Sequence, residues 1–165
     1  MTAAIRATPP VARSKSGVGR KSRRHCSREL ALQGIYQWRV AGGTVDFIEA
    51  QLHDTDEFQK ADGKYFSILL RHVLSNIEIL EKQIQPCLDR PLKELSPIEY
   101  AILLISTCEL ANFPDIPYRA VINEAIELAK SYGGTEGYKY VNGVLDKLAV
   151  QLRAIETKPQ IKPTV

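Results

Sequence analysis

Apolar residues recur at intervals of three and four positions along most of the chain, which is the spacing of one face of an α-helix. The first run includes Leu30, Ile35 and Trp38 and stops at Gly42-Gly43. Glycine readily adopts the left-handed conformation that helix ends require, so we expect the first helix to end there. Later runs predict further helices over residues 44–58, 62–85, 97–112, 117–132 and 136–152.

The segment from Ser96 to Asn112 predicts the central helix of the fold. Ser96 and Glu99 have the spacing of a capping box, in which each side chain bonds the other's backbone N–H, and Pro97 suits the first helical position. The residues that follow are apolar on almost every side, which indicates a buried helix. No segment alternates between apolar and polar residues as a strand does. The pattern therefore predicts an all-α fold of about seven helices.

Charge is distributed unevenly along the chain. Residues 1–28 contain eight basic residues and no acidic one, whereas the remainder contains 14 basic and 19 acidic residues. The N-terminal prolines and glycines oppose helix formation. We therefore predict a disordered basic arm at residues 1–21, a single helical domain at 22–154 and a flexible tail at 155–165. A basic arm attracts a polyanion, although it can also serve only to keep the chain in solution.

Arg23, Arg24 and Arg28 are placed at the start of the first predicted helix. Cations there oppose the positive end of the helix dipole, so a bound anion explains them better than local stability does. We therefore predict that these arginines contact nucleic acid. The alternative is a solvated cluster.

Aromatic and basic residues also meet where the last two predicted helices join. Tyr138, Lys139 and Tyr140 offer rings for bases and a cation for phosphates, as single-stranded RNA requires. Tyr140 lies at the edge of the apolar stripe, so it can either pack into the core or stack on a base. Gly143 lies within the last helix, where glycine is unfavourable. It therefore predicts close approach of a neighbouring helix.

The sequence contains no pattern typical of an enzyme. It has no phosphate-binding glycine loop, no nucleophile elbow and no histidine spaced with other ligands. Its three cysteines are far apart and indicate neither a disulfide framework nor a zinc site. We expect no cofactor and no metal. No apolar run reaches the length of about 18 residues that a membrane span needs, and the cysteine usage fits a reducing cytoplasm.

Two segments carry a resemblance to a known family. VINEAIELAK at residues 121–130 and KYVNGVLDK at 139–147 closely resemble the C-terminal motifs of the NusB family of bacterial transcription antitermination factors, and SRELALQGIYQW at 27–38 resembles its first helix. The resemblance covers roughly residues 23–148. It implies two packed helical subbundles. It also implies a protein that binds the single-stranded boxA element of nascent ribosomal RNA together with NusE, a ribosomal protein, in an RNA polymerase antitermination complex.

The resemblance also implies roles for individual residues. The arginines named above match the family's arginine-rich start, with His25 and Cys26 as departures from it. Lys139 and Tyr140 match a Lys-Phe pair, and Glu136 matches an acidic residue near the RNA. Tyr36 and Glu99 match positions on the surface that faces NusE, although Glu99 also has the role of capping glutamate.

Two alternative functions stay open at this stage. NusB-like domains also occur as substrate-binding modules of RNA cytosine methyltransferases, and this chain has no cofactor-binding segment, so it can be a stand-alone module of that kind. It can also be a helical adaptor that binds only protein, although the basic arm argues against this. Some family members form homodimers when free, and the sequence does not predict whether this one does.

Overall fold

A computed structural model describes residues 8–12 and 21–158, and within these ranges the regular secondary structure is helical, without a strand. The α-helices are α1 (Arg23–Ala41), α2 (Val45–His53), α3 (Gly63–Ser75), α4 (Ile77–Ile84), α5 (Pro97–Asn112), α6 (Tyr118–Tyr132), α7 (Gly137–Leu152) and α8 (Ala154–Thr157). Short 3₁₀ helices are formed by Asp56–Lys60, Gln85–Cys87 and Leu92–Glu94. The predicted all-α fold is confirmed. The eight α-helices of these ranges exceed the predicted number by one.

The helices form two groups that share α5. Helices α1, α2 and α3 pack against one another, while α4, α6 and α7 pack around α5, which also contacts α1 and α3. Every residue of α5 from Tyr100 to Leu110 is buried. The predictions of two packed subbundles and of a central fifth helix are thus confirmed. No helix within the described ranges is long and apolar enough to cross a membrane.

Local signals fix the ends of α1 and α5, and the glycine end of α1 and the capping box of α5 are as predicted. The helix predicted over residues 44–58 instead ends at His53 and is followed by the separate 3₁₀ helix Asp56–Lys60. Ser22 caps α1 by accepting a hydrogen bond from the His25 N–H at 3.0 Å. Gly42 and Gly43, with φ of 71° and 110°, end the helix in a conformation that other residues rarely adopt. At α5 both halves of the Ser96–Glu99 capping box are present.

The helix predicted over residues 62–85 is in fact two helices, α3 and α4. Asn76 separates them: its backbone leaves the helical region, and its side-chain amide donates to the His72 carbonyl at 2.8 Å. Asparagine side chains compete in this way with helical hydrogen bonds. Apolar residues continue at helical spacing on both sides of the break, so the periodicity did not reveal it.

The chain ends include one correction to the predicted domain boundaries. The flexible tail was predicted from residue 155, but Ala154–Thr157 form α8. Arg153 fixes this segment by donating to the carbonyls of Leu110, Ile116, Glu109 and Phe113 at the end of α5. Residues 1–7, 13–20 and 159–165 lie outside the described residues, so most of the predicted arm and the rest of the tail remain predictions.

Candidate nucleic-acid interface

The first turn of α1 is held against the segment that precedes α3. Arg23 donates through Nη2 to the Ala61 carbonyl at 2.8 Å, and Ser27 Oγ donates to the Asp62 carbonyl at 2.7 Å. These bonds bring Lys60 beside the start of α1. Arg23 remains exposed at the surface. Its guanidinium has five N–H donors, so the bond to Ala61 leaves others for a ligand.

Arg24 is also exposed, and its guanidinium lies 4.7 Å from the centre of the Tyr65 ring. A guanidinium stacked on an aromatic face keeps its N–H edges available for phosphate. Stacking on the Tyr65 ring thus restricts the orientation of the Arg24 side chain and leaves the N–H donors of Arg24 free. Arg23 and Arg24 therefore both have the exposure that the predicted phosphate contacts require.

Arg28 has a different environment, and the structure corrects its predicted role. Its side chain is buried and donates to Glu109 through Nε at 2.9 Å and Nη2 at 2.8 Å. The Tyr65 hydroxyl donates to the same carboxylate at 2.5 Å. Burial lowers the pKa of Arg28, but hydrogen bonding to Glu109 outweighs it and the net shift is upward. An arginine that is already paired in the core joins α1 to α5 and is not placed to reach RNA.

His25 and Glu29 form a second polar cluster, on the side of α1 that faces α6. His25 Nδ1 lies 2.6 Å from Glu124 Oε2, and Nε2 lies 3.3 Å from Glu29. Hydrogen bonding to Glu124, and then to Glu29, raises the pKa of His25 from 6.5 to about 9. His25 therefore carries a positive charge at neutral pH that the two glutamates balance. Within the described ranges, neither this cluster nor any other group of three or more histidine, cysteine, aspartate or glutamate side chains is arranged to hold a metal ion.

Two connected clefts run from the start of α1 toward the end of α6. The first, of about 460 Å³, is lined by Lys21, Arg23, Cys26, Gln59 and Lys60. The second, of about 260 Å³, shares Lys21, Cys26 and Lys60 and extends to Glu29, Glu57 and Tyr132. Glu29 is neutralised there by His25 and by Lys21, whose Nζ lies 3.0 Å from its carboxylate. Cations thus border the clefts where they open beside α1.

The α6–α7 junction begins after Tyr132, the last residue of α6. Tyr138 is half-buried, with Lys130 Nζ 5.1 Å and Lys139 Nζ 5.9 Å from its ring centre. Lys139 also pairs with Glu136 at 2.6 Å, and both side chains are largely exposed. Glu136, Tyr138 and Lys139, three of the predicted RNA-binding residues, are thus brought together at the surface, and the charges of Glu136 and Lys139 balance each other.

Tyr140 is half-buried, as expected for the edge of the apolar stripe. The Arg90 guanidinium covers one face of its ring at 4.2 Å from the centre. The Tyr140 hydroxyl is buried and has no hydrogen-bond partner among the described residues. This burial, together with the negative charge of the nearby Asp89 carboxylate, raises the pKa of the hydroxyl. The side chain therefore packs on one side, and a base that stacks on the covered face has to displace Arg90.

Tyr36 and Glu99 lie on adjacent helices. Tyr36 is half-buried and lines a cleft of about 450 Å³ between α1 and α2. Arg39, one turn later in α1, covers the ring of Tyr100, the neighbour of Glu99, at 4.5 Å. Glu99 also lies beside the start of α7, because a Cβ at Gly137 would be 3.4 Å from its Oε1. The predicted partner surface thus extends to the predicted RNA surface.

The family model that matches this chain is that of the NusB family, over residues 25–150. The transcription antitermination protein NusB of Nitrosospira multiformis is 67% identical over 134 residues, covering 81% of this chain and 85% of that protein. The protein of the same name from Nitrosomonas eutropha is 62% identical over 148 residues, covering 90% and 89%. The chain belongs to the NusB family.

Solved structures agree with this assignment. NusB of T. maritima matches with a TM-score of 0.70 and 28% identity, covering 79% of this chain and 92% of that one. A complex of the antitermination factors NusB and NusE with double-stranded RNA matches with a TM-score of 0.65 and 21% identity, covering 75% and 93%. The second likeness supports the fold alone.

Sequence reasoning missed three cations that the fold adds to the candidate interface. Lys21 and Lys60 border the cleft beside Arg23, and Arg90 covers Tyr140. Lys21 lies within the basic run, where its charge could have been noted beside the arginines. Lys60 and Arg90 follow acidic segments, at Asp56-Glu57 and Asp89, and only tertiary packing places them at the interface.

Proposed function

We propose that this NusB-family protein is a transcription antitermination factor that binds the boxA element of nascent ribosomal RNA as a single strand. In this proposal it acts with NusE to help RNA polymerase resist premature termination. Its role is regulatory binding in the cytoplasm, without catalysis. Arg23, Arg24, Tyr138, Lys139 and Tyr140 contact the RNA, with Glu136 beside them.

One observation carries the RNA-binding part of this proposal. The clefts bordered by Lys21, Arg23 and Lys60 lead to Tyr132, from which the chain continues to the tyrosines of α7. Cations that follow a backbone and aromatic rings that receive bases are the two features of single-strand binding surfaces. Arg23 bonds Ala61 and Arg24 stacks on Tyr65, but neither contact uses all the guanidinium donors that remain exposed against the dipole of α1, and an RNA phosphate would use them.

The proposed NusE surface comprises Tyr36 and Glu99. Because Glu99 lies beside the start of α7, a partner bound there contacts the end of the RNA surface. Each ligand then strengthens the binding of the other, and thermodynamic linkage requires the two effects to be equal.

Fluorescence anisotropy with a labelled single-stranded boxA RNA tests the proposal. A scrambled RNA of equal length and composition is the control, and both titrations are repeated with saturating NusE. We expect preferential binding of boxA and a lower Kd when NusE is present. Equal Kd values for the two RNAs in both conditions would contradict the antitermination role and favour a general RNA-binding module.

A further inference from the structure

Gly143 lies in the middle of α7 and is exposed, although glycine is unfavourable within a helix. Its predicted role in helix packing is wrong, because a Cβ added there would meet nothing within 4 Å among the described residues. Nor does the backbone demand glycine, since positive φ values in the described ranges occur only at Gly42 and Gly43. Neither packing nor backbone conformation therefore accounts for the absence of a side chain.

The residues that surround Gly143 form a recess. Lys139, Tyr140 and Lys147 stand four before, three before and four after it, which places all of them on one helix face. Together with Cys87, Asp89 and Val144 they line an open recess of about 190 Å³. That volume equals the share of about six water molecules, so a planar heterocycle fits within it. The missing side chain leaves the helix backbone open to whatever enters.

The recess has apolar walls and a charged rim. Cys87, Val144 and the Tyr140 ring provide the apolar surfaces. Arg90 extends over that ring, and its Nε donates to Asp89 at 2.8 Å, so the one carboxylate in the recess is neutralised. Lys147 is exposed and has no ion pair among the described residues. Apolar walls with cations at the rim are suited to a nucleobase whose phosphates lie outside.

We propose that the α7 face around Gly143 is a nucleotide subsite for single-stranded RNA. One base lies against the exposed backbone at Gly143, beside Tyr140. Lys147 and Arg90 contact the phosphates on either side of that base, which carries the strand beyond Tyr140 toward the Gln85–Cys87 turn. This subsite rests on the proposed RNA-binding function and extends it to residues that neither the arginine cluster nor the start of α7 includes.

Gly143→Ala and Gly143→Leu test the subsite, because they fill the recess without removing any contact. Alanine favours the helix, so Gly143→Ala should raise the melting temperature by about 2–4 °C. The two variants should nevertheless bind the RNA more weakly, with Gly143→Leu raising Kd at least about fivefold, the lower range for one stacked base. Gln151→Ala, at an exposed position of the same helix, is the control and should leave Kd unchanged.

Lys147→Gln provides an independent readout, with Lys82→Gln in α4 as its control. It should make the slope of log K against log salt shallower by about 0.7, the value for one phosphate contact on a single strand. Kd values within twofold of wild type for both Gly143 variants, or a lower melting temperature for Gly143→Ala, would overturn the subsite. If the wild-type protein binds no RNA, both the proposed function and the subsite are wrong. If wild type binds RNA and the Gly143 and Lys147 variants bind it equally well, only the subsite is wrong.

Discussion

Arg28 offers the sharpest contrast between a structural and an RNA-binding role. Replacing it with glutamine removes the two donors, Nε and Nη2, that hold the Glu109 carboxylate. Glu109 is only 1% exposed, so its charge would remain in the core with Tyr65 as its main hydrogen-bond donor. Removing one partner of a buried ion pair typically costs about 3–5 kcal/mol. Two hydrogen bonds to a charged group, at about 1.5–3 kcal/mol each, give about 3–6 kcal/mol, which overlaps that range.

Urea unfolding of Arg28→Gln should therefore show a lower midpoint with an unchanged m-value. Arg24→Gln is the matched control: because Arg24 is exposed and only stacks on Tyr65, it should lose less than about 1 kcal/mol. RNA affinity measured far below the unfolding transition should fall for Arg24→Gln and not for Arg28→Gln. If Arg28→Gln unfolds like wild type but binds RNA more weakly, the structural assignment of Arg28 is refuted.

Two further predictions concern the polar clusters that fix α1 and α8. The pKa of His25 is raised to about 9, so the stabilising effect of its ion pairs is complete below about pH 6.5 and is lost as the pH rises through 9. Between pH 7 and 10 the melting temperature of wild type should therefore fall more than that of His25→Gln. Parallel curves of melting temperature against pH would contradict this. Arg153→Met leaves four carbonyls at and just after the end of α5 without their arginine donor. In guanidinium unfolding the free energy of unfolding should therefore fall by at least about 3 kcal/mol. A fall below about 1 kcal/mol would mean that water replaces the arginine.

The sequence was sufficient for several features that depend on neighbouring residues, although it did not reveal the local break at Asn76. The glycine end of α1 and the Ser96–Glu99 capping box each depend on residues within a few positions of the backbone groups concerned. The central position of α5 followed from its apolar residues on all sides. These interactions form within one or two helical turns, so tertiary packing does not alter them.

Features that depend on distant partners could not be predicted in this way. Arg28 and Arg24 have the same chemistry and are one helical turn apart, but only Arg28 faces Glu109, 81 positions later in the chain. Lys60 joins Arg23 because backbone and side-chain bonds at Ala61 and Asp62 dock that segment on α1. Likewise, Gly143 suggested close packing until its open surroundings became visible in the fold.

The most direct test of RNA binding along the clefts uses the two cations that the fold brings together from distant segments. RNA affinity is measured over a range of salt concentrations for wild type, Arg23→Gln, Lys60→Gln, the double variant, and Lys82→Gln as control. Each lost phosphate contact should make the slope of log K against log salt shallower by about 0.7, and the double variant by about 1.4. Slopes for all variants equal to that of wild type would contradict the proposal that RNA follows these clefts.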